Sequence, residues 1–336
     1  MISSVATPLR TSVLRSAATR APTGFSARNF STSLAAQKEV QNVTVFGAGL
    51  MGAGIAQVLA HKGGYNVTLA DVSEKATAGG QSIISKSLTR IFKKSMADKS
   101  AEEQAEAVKK VVDSIKVSTD GAGAVKETDL VIEAIIENVG IKQELFKFLD
   151  GKAPKDAIFA SNTSSLSIKD VAATISEERK ALFGGFHAFN PVPQMKLIEI
   201  VKTDQTSKDA FESLTAVAKK MGKVPVSCVD SPGFIVNRLL VPYMLEAIRL
   251  VERGEATKED VDTAMKLGAG YPMGPFELAD LVGLDTLSHI SSGWRDSRVS
   301  TGEISAEAVK ESQLLESLVK EGKTGKKSGK GGFHPQ

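Results

Sequence analysis

A histidine and a glutamate share one apolar stretch of the chain, FGGFHAFNPVPQMKLIEIV at residues 183–201. An ionised carboxylate inside an apolar strand is costly unless it is paired, and an imidazole is a natural partner. Glu199 could accept a hydrogen bond from one ring nitrogen of His187, which would fix the tautomer and leave the other nitrogen as a base. The alternative is two polar residues tolerated in a core. We expect a catalytic dyad, because an imidazole held in one tautomer by a carboxylate can act as a general base.

The stretch VFGAGLMGAG carries Gly47, Gly49 and Gly52 in the pattern G-x-G-x-x-G. The first glycine permits a tight turn, the second lets a pyrophosphate approach the backbone, and the third lets helix and strand pack closely. The N–H groups at the start of the following helix suit a phosphate group. Because the pattern follows a strand and opens a helix, we interpret it as a dinucleotide site that includes Leu50 and Met51, not as a purely structural turn.

The next predicted strand, YNVTLAD, ends in Asp71. An acid at this place can accept hydrogen bonds from the ribose hydroxyls of a dinucleotide. Neither Val72 nor Ser73 offers the positive charge that a 2′-phosphate would need. The sequence therefore predicts NAD, not NADP, as the cofactor.

Further polar residues follow predicted strands or open a predicted helix. In SNTSSLSI, Ser164 could bind a substrate oxygen, or it could only cap a helix. In GFIVNRLL, Asn237 could orient the substrate, or it could make a hydrogen bond between helices. In EAIIENVGIKQ, Glu137 and Lys142 would lie on the cofactor side of the sheet, or they could be ordinary loop charges.

A basic stripe is predicted on the helix after Asp71. Its members recur at helical spacing and are Lys86, Arg90, Lys93 and Lys94, with Ser87 on the same edge. Such a stripe is commonly a solvated face. Beside a nucleotide site it could instead hold a second polyanion, for example the phosphates of a coenzyme A thioester.

Strands and helices alternate as far as Asp230, which predicts a doubly wound α/β sheet. After the turn DSPGF only helical patterns follow, and the final GKTGKKSGKGGFHPQ is rich in glycine and lysine, so we expect it to be mobile. The chain is therefore divided into residues 1–37, a nucleotide-binding domain at residues 38–230, and an all-α substrate and dimerisation domain at residues 231–336. Long apolar helices in the last part predict a homodimer.

The overall composition restricts the class of protein. The formal net charge of +3 is too small to indicate a nucleic-acid partner, and the single cysteine, Cys228, rules out an internal disulfide. No apolar run reaches the roughly 18 residues of a membrane span. We expect neither nucleic acid nor a membrane span.

Residues 1–37 differ from the rest of the chain. They carry Arg10, Arg15, Arg20 and Arg28, many small and hydroxylated residues, and no acid, since the first is Glu39. This composition is typical of a mitochondrial transit peptide, and it predicts a matrix protein. The alternative is a disordered tail without a targeting role.

Together these motifs resemble the short-chain L-3-hydroxyacyl-CoA dehydrogenases of mitochondrial fatty-acid oxidation. The resemblance covers about residues 42–332 and rests on GAGLMGAGIAQVLA, EAIIEN, SNTSSLSI, FHAFNPVPQMKLIEIV, DSPGFIVNRLLVPY and GAGYPMGPFELAD. It implies a Rossmann-like domain followed by a helical dimerisation domain.

The resemblance also implies a role for each matching residue. The catalytic group would be His187, Glu199, Ser164 and Asn237. The cofactor contacts besides the glycine turn and Asp71 would be Ala134, Glu137, Lys142, Ser164, Asn190 and Lys327. The coenzyme A portion of the substrate would contact Ser87, Lys94 and Ser164.

The activity that follows is NAD-dependent oxidation of (S)-3-hydroxyacyl-CoA to 3-oxoacyl-CoA in fatty-acid β-oxidation. Three alternatives stay open at this point. The enzyme could work mainly as a 3-hydroxybutyryl-CoA reductase, it could act on a hydroxy acid without coenzyme A, or the chain could be a catalytically silent NAD-binding relative.

Overall fold

The computed structural model describes residues 39–335. The predicted transit peptide at residues 1–37 lies outside this described part. Within residues 39–335, no helix is long and apolar enough to cross a bilayer.

The first half of the described chain alternates strands and helices as the sequence predicts. Its strands are β1 Asn42–Phe46, β2 Asn66–Ala70, β3 Ile115–Ser118, β4 Leu130–Glu133, β5 Ile158–Ser161, β6 Phe183–Ala188, β7 Leu197–Lys202 and β8 Val224–Val229. Its helices are α1 Leu50–His61, α2 Glu74–Ser95, α3 Ala101–Ser114, α4 Gly121–Ala124, α5 Val139–Asp150, α6 Ile168–Val171, α7 Glu177–Lys180 and α8 Lys208–Lys220.

All eight strands form one sheet in the order β3-β2-β1-β4-β5-β6-β7-β8. The first six strands of this order run parallel, with β1 at the centre, which is the doubly wound arrangement predicted from the alternation of elements. The structure adds one departure, because β7 runs antiparallel to β6 while β8 is parallel to β7. The loop between β6 and β7 holds no helix, so it cannot make the crossover that parallel neighbours need.

Apolar side chains cover both faces of the sheet. One cluster joins β1, α1, α2 and α8 around Val45, Ile55, Leu88 and Leu214. The other cluster lies around Phe146 and Phe159 on the opposite face. The central strands are therefore buried on both faces, which is why they read as continuous apolar runs in the sequence, whereas the edge strands β3 and β8 are partly exposed.

The second half of the described chain is helical, as predicted. Its helices are α9 Val236–Glu252, α10 Lys258–Gly268, α11 Pro275–Val282, α12 Leu284–Arg298 and α13 Gln313–Lys320. They enclose a core of their own around Leu245, Phe276, Leu287 and Trp294.

The glycine- and lysine-rich end of the chain is packed onto these helices, whereas the sequence predicts a mobile tail. Phe333 is buried, and its ring lies 4.9 Å from the ring of Phe276. Its N–H donates to the buried Asp280 at 2.8 Å, and His334 pairs with the buried Asp262. One aromatic side chain and these carboxylates fix a segment whose average composition favours mobility.

Candidate active site

The turn between β1 and α1 requires glycine at two places. Gly47 has φ +99°, and a Cβ there would lie 2.4 Å from the carbonyl oxygen of Ala134. A Cβ on Gly52 would lie 1.8 Å from the carbonyl oxygen of Gly47. These contacts bring the turn close to β4 and bring the start of α1 onto β1.

Gly49 is different, because a Cβ built on it would meet no atom within 4 Å. It is the N-cap residue of α1, and no side chain caps this helix. Free N–H groups and the positive end of the helix dipole therefore face open space, which fits a diphosphate. Leu50, beside this opening, is largely exposed, and Met51 is half-buried.

Asp71 follows β2 at the same edge of the sheet. Its carboxylate accepts the N–H of Ala48 at 2.6 Å and the N–H of Val72 at 2.7 Å. Each carboxylate oxygen has a second lone pair, so these contacts leave capacity for a ribose hydroxyl. Asp71 thus ties the glycine turn to β2, and its position fits the predicted NAD site.

His187 and Glu199 are directly opposite each other in the antiparallel pair β6–β7. Nδ1 of the imidazole lies 2.7 Å from Oε2 of the carboxylate. The other ring nitrogen, Nε2, lies 3.0 Å from the hydroxyl of Ser164. His187 is 2% exposed and Glu199 is fully buried. The three side chains therefore form one continuous hydrogen-bonded relay.

The second oxygen of Glu199 is also engaged. Oε1 accepts the N–H of Ile235 at 3.1 Å and the N–H of Val236 at 2.9 Å, at the start of α9. The N-cap residue of α9 makes no side-chain cap, and Glu199 in β7 caps this helix instead. The positive end of the helix dipole therefore lies beside this buried carboxylate.

The loop after β5 holds Ser164 through Glu137. Oε1 of Glu137 accepts the N–H of Ser164 at 3.0 Å and the N–H of Ser165 at 3.2 Å, together with the hydroxyl of Thr163. The side-chain amide of Asn237 donates to the carbonyl oxygen of Ser164 at 3.3 Å. The structure therefore brings Ser164 and Asn237 to the dyad, as the sequence predicts.

Lys142 lies almost fully buried between two carboxylates. Its ammonium is 2.5 Å from Glu133 and 3.2 Å from Glu137. Burial raises the pKa of Glu133, whereas at Glu137 burial is outweighed by Lys142 and the Thr163 hydroxyl, which hold its pKa below the usual range. The sequence reasoning missed Glu133, although a charged residue ending the buried strand β4 was a usable signal.

The remaining predicted contacts have separate surroundings. Ala134 follows β4 and is half-buried beside Gly47, and Asn190 is exposed in the loop after β6. On α2, Ser87 is half-buried and Lys94 exposed. Lys327 pairs with Asp285 at 2.7 Å and donates to the hydroxyl of Thr286 at 3.2 Å, both in α12. Its observed partners therefore belong to the helical half and not to the glycine turn.

Comparison with known families separates the chain at the turn before α9. Residues 42–231 match the model of the 3-hydroxyacyl-CoA dehydrogenase NAD binding domain, and residues 233–334 match that of the 3-hydroxyacyl-CoA dehydrogenase C-terminal domain. The chain belongs to the 3-hydroxyacyl-CoA dehydrogenase family. The predicted family and the predicted cofactor, NAD, are thereby confirmed.

Individual family members agree with this assignment over most of their length. The human mitochondrial hydroxyacyl-coenzyme A dehydrogenase is 54% identical over 306 residues, which cover 90% of this chain and 94% of the relative. A probable 3-hydroxybutyryl-CoA dehydrogenase of Bacillus subtilis is 41% identical and covers 87% of this chain and 96% of its own. The crystal structure of FadB2 from M. tuberculosis is 40% identical with a TM-score of 0.79, over 89% of this chain and all of that one.

Proposed function

We propose that this dehydrogenase oxidises (S)-3-hydroxyacyl-CoA to 3-oxoacyl-CoA with NAD, and that His187 is the general base. The observation that carries the proposal is the relay from Ser164 through His187 to Glu199, with separations of 3.0 and 2.7 Å. A buried imidazole whose one nitrogen is held by a carboxylate has its tautomer fixed. The other nitrogen then accepts protons from the side on which Ser164 lies.

In the proposed step, Nδ1–H donates to Glu199, and Nε2 takes the proton of the substrate hydroxyl. The imidazolium that forms is stabilised by the buried carboxylate beside it. The Ser164 hydroxyl, 3.0 Å from Nε2, and the Asn237 amide, which donates to the Ser164 carbonyl oxygen, would orient the reacting oxygen. When bound, NAD supplies the acceptor for the hydride that leaves C3, so that two electrons and two hydrogens are accounted for.

The residues on this edge of the sheet fit NAD. Gly49 leaves open space in front of the uncapped α1, and Asp71 offers carboxylate lone pairs to the ribose. The other predicted cofactor contacts stay predictions, which a structure of the NAD complex would test. They are Ala134, Glu137, Lys142, Ser164, Asn190 and Lys327.

Replacing His187 with glutamine tests the base directly. We expect kcat for NADH formation from 3-hydroxybutyryl-CoA to fall by roughly 10²–10⁴, because the amide cannot take up the proton. NAD affinity should be kept, since the glycine turn is untouched. Turnover at the wild-type rate in His187→Gln would end the proposed mechanism, and a wild-type enzyme inactive on this substrate would end the proposed activity.

The family assignment argues against a hydroxy acid without coenzyme A as the substrate. Two alternatives remain, and each has its own test. The first alternative is a four-carbon substrate used mainly in the reductive direction, and it is supported by two relatives named 3-hydroxybutyryl-CoA dehydrogenase, at 41% and 38% identity. Comparing kcat/KM for four-carbon and longer thioesters in both directions separates these cases. The second alternative is a catalytically silent NAD-binding relative, which would have no need of the complete relay. NADH formation by the wild-type enzyme would exclude it.

We further propose that α2 contacts the coenzyme A portion through Ser87 and Lys94. An exposed basic stripe on the helix that follows Asp71 supports this placement. Replacing Lys94 with alanine should raise KM for the acyl-CoA and leave KM for NAD unchanged. The same KM for acyl-CoA in variant and wild type would contradict the assignment.

We also propose that the chain divides into a nucleotide-binding domain at residues 38–230 and a helical domain at residues 231–336. We propose in addition that the helical domain forms a homodimer. Large apolar side chains that face solvent there support association, namely Leu239, Leu267, Tyr271 and Leu281. Size-exclusion chromatography with light scattering measures the oligomeric state. A molar mass equal to that of one chain would overturn the dimer.

We propose a mitochondrial location, in the matrix, with residues 1–37 as the removed leader. Four mammalian relatives are named mitochondrial, and the acid-free basic composition of residues 1–37 supports the same location. Sequencing the N-terminus of the mature protein and fractionating mitochondria test both points. An intact Met1 in the mature protein would contradict the leader.

A further inference from the structure

The chain passes from β8 into α9 through the turn Ser231-Pro232-Gly233-Phe234. The N–H of Phe234 donates to the carbonyl oxygen of Ser231 at 2.9 Å, and Gly233 has φ +74°. Proline at the second position and a left-handed glycine at the third are the residues that a type II turn prefers. The sequence SPGF therefore encodes this reversal locally.

Phe234 then continues in the left-handed region, with φ +54°. Within residues 39–335 it is the one non-glycine residue with a positive φ. A bulky aromatic residue rarely adopts this conformation, because its Cβ crowds the backbone. Such a conformation persists only where the surroundings impose it, and it is commonly found at functional sites.

The surroundings of the turn do impose it. A Cβ on Gly233 would lie 2.4 Å from the ring of Trp294, so the indole of α12 presses on the turn from the helical side. The Phe234 ring is buried, and its centroid lies 5.5 Å from that of the His187 ring. Phe189 lies 4.5 Å from the same imidazole. Aromatic rings thus hold the imidazole in addition to its hydrogen bonds.

The backbone after Phe234 holds the carboxylate of Glu199. The N–H groups of the next two residues, Ile235 and Val236, both converge on Oε1 of Glu199. Their direction depends on the dihedral angles of Phe234, since these set the course of the chain into α9. One residue therefore contacts His187 with its side chain and aims two donors at Glu199 with its backbone.

We propose that Phe234 is a positioning residue for the base. Its ring fixes the plane of the His187 imidazole, and its left-handed backbone fixes the carboxylate that orients this imidazole. The proposal rests on the proposed function of His187 and adds a residue that neither donates nor accepts a proton.

The experiment compares Phe234→Leu with Phe146→Leu in the full chain. Phe146 is also fully buried and belongs to the same core cluster as Phe234, but its ring contacts are Phe159 and Phe183. Both variants replace one buried aromatic ring with a leucine side chain. We expect kcat to fall about tenfold or more in Phe234→Leu, because small misplacements of reacting groups are costly, and to stay at the wild-type value in Phe146→Leu.

A second readout needs no substrate. The proton between Nδ1 of His187 and Oε2 of Glu199, which are 2.7 Å apart, should give a downfield proton resonance in nitrogen-labelled protein. We expect this resonance to shift or broaden in Phe234→Leu and to stay in place in Phe146→Leu. KM for NAD should be the same in both variants.

Phe234→Gly covers the case in which the leucine variant does not fold. Glycine adopts positive φ without steric cost, so this variant should keep the turn and lose only the ring. A reduced kcat and an altered resonance in this variant support the proposal, and wild-type values for both overturn it. The same kcat and resonance in Phe234→Leu and Phe146→Leu also overturn it.

The failure of the proposed function would look different. Wild-type protein that shows neither NADH formation nor a downfield resonance would mean that His187 is not the base. Wild-type protein that shows both, with unaffected Phe234 variants, removes only the positioning role.

Discussion

Glu199 uses both carboxylate oxygens inside the protein, one for His187 and one for the start of α9. Neither oxygen needs solvent, and the carboxylate is fully buried. A charge in such a place is tolerated because donors satisfy it from two elements. Its removal would therefore affect the base and the helix separately, and the substitution can be chosen to affect only one.

Replacing Glu199 with glutamine should affect only the base. The amide oxygen can still accept from Ile235 and Val236, but the amide nitrogen then donates to Nδ1 of His187. The imidazole proton must move to Nε2, which removes the basic site. We expect kcat to fall by roughly 10²–10⁴ with NAD affinity unchanged, measured by steady-state assay and NAD titration. A kcat near that of the wild type would show that Glu199 does not set the tautomer.

Glu137 makes a second residue-level prediction, which concerns acid stability. Its folded-state pKa lies below the usual range, because Lys142 and the Thr163 hydroxyl outweigh the effect of burial. The stability it contributes is present above its unfolded pKa of about 4.3 and is lost as the pH falls through the lower folded value. Urea midpoints should therefore decline less between about pH 5 and pH 3 in Glu137→Gln than in the wild type.

The difference between the pH profiles of the wild type and Glu137→Gln separates the effect of Glu137 from that of Glu133. The raised pKa of Glu133 makes the native state bind a proton more readily than the unfolded chain, which acts in the opposite direction. This contribution is present in both proteins. Parallel pH profiles would show that Glu137 does not hold the serine loop through its charge.

At the scale of elements, the turn between β1 and α1 separates the demands of folding from those of binding. Gly52 is required by the fold, because a Cβ there would collide with the carbonyl oxygen of Gly47 at 1.8 Å. Gly49 has no such neighbour within 4 Å. The same chemical change should therefore have different consequences at the two positions.

We expect Gly52→Ala to lose about 1–3 kcal/mol or more of unfolding free energy, since the backbone must move to admit the methyl group. Gly49→Ala should keep its melting temperature and bind NAD about tenfold or more weakly, equivalent to about 1.4 kcal/mol. Thermal melts without cofactor and calorimetric titration with NAD measure the two effects. Equal melting temperatures for both variants would contradict this division.

The elements also show where sequence reasoning succeeds. β-branched runs and the glycine pattern place β1, α1 and β2, because local residue types determine them. The pairing of His187 with Glu199 follows from a proline-containing loop too short for a crossover. The ion pair of Lys142 with Glu133 was not foreseen, because it depends on how α5 packs onto β4, which periodicity does not report.

For the whole molecule, the end of the chain closes the helical half. The sequence predicts a mobile tail from its glycine and lysine content, but composition averages over the one aromatic residue that decides the outcome. Phe333 contacts the Phe276 ring, its N–H donates to Asp280, and its carbonyl oxygen accepts the Lys258 ammonium. These partners lie in α10 and α11, more than 50 residues before Phe333 in the chain, so local sequence could not reveal them.

Replacing Phe333 with alanine should cost about 3–5 kcal/mol of unfolding free energy, as expected for a buried phenylalanine. The matched control is Phe148→Ala, since Phe148 is 49% exposed, and it should lose much less. Urea unfolding followed by circular dichroism measures both. Equal losses in the two variants would mean that the tail is not part of the core.

The two family models meet between residues 231 and 233, yet the hydrogen bonds around the base cross this junction. The carboxylate that orients His187 belongs to one side, and the N–H groups that hold the carboxylate belong to the other. The family models divide the chain at this junction, but these hydrogen bonds join the two parts. Exchanging the helical half for that of a distant relative would also exchange the two N–H groups that hold Glu199, so such a chimera would test the proposed base together with the new helices.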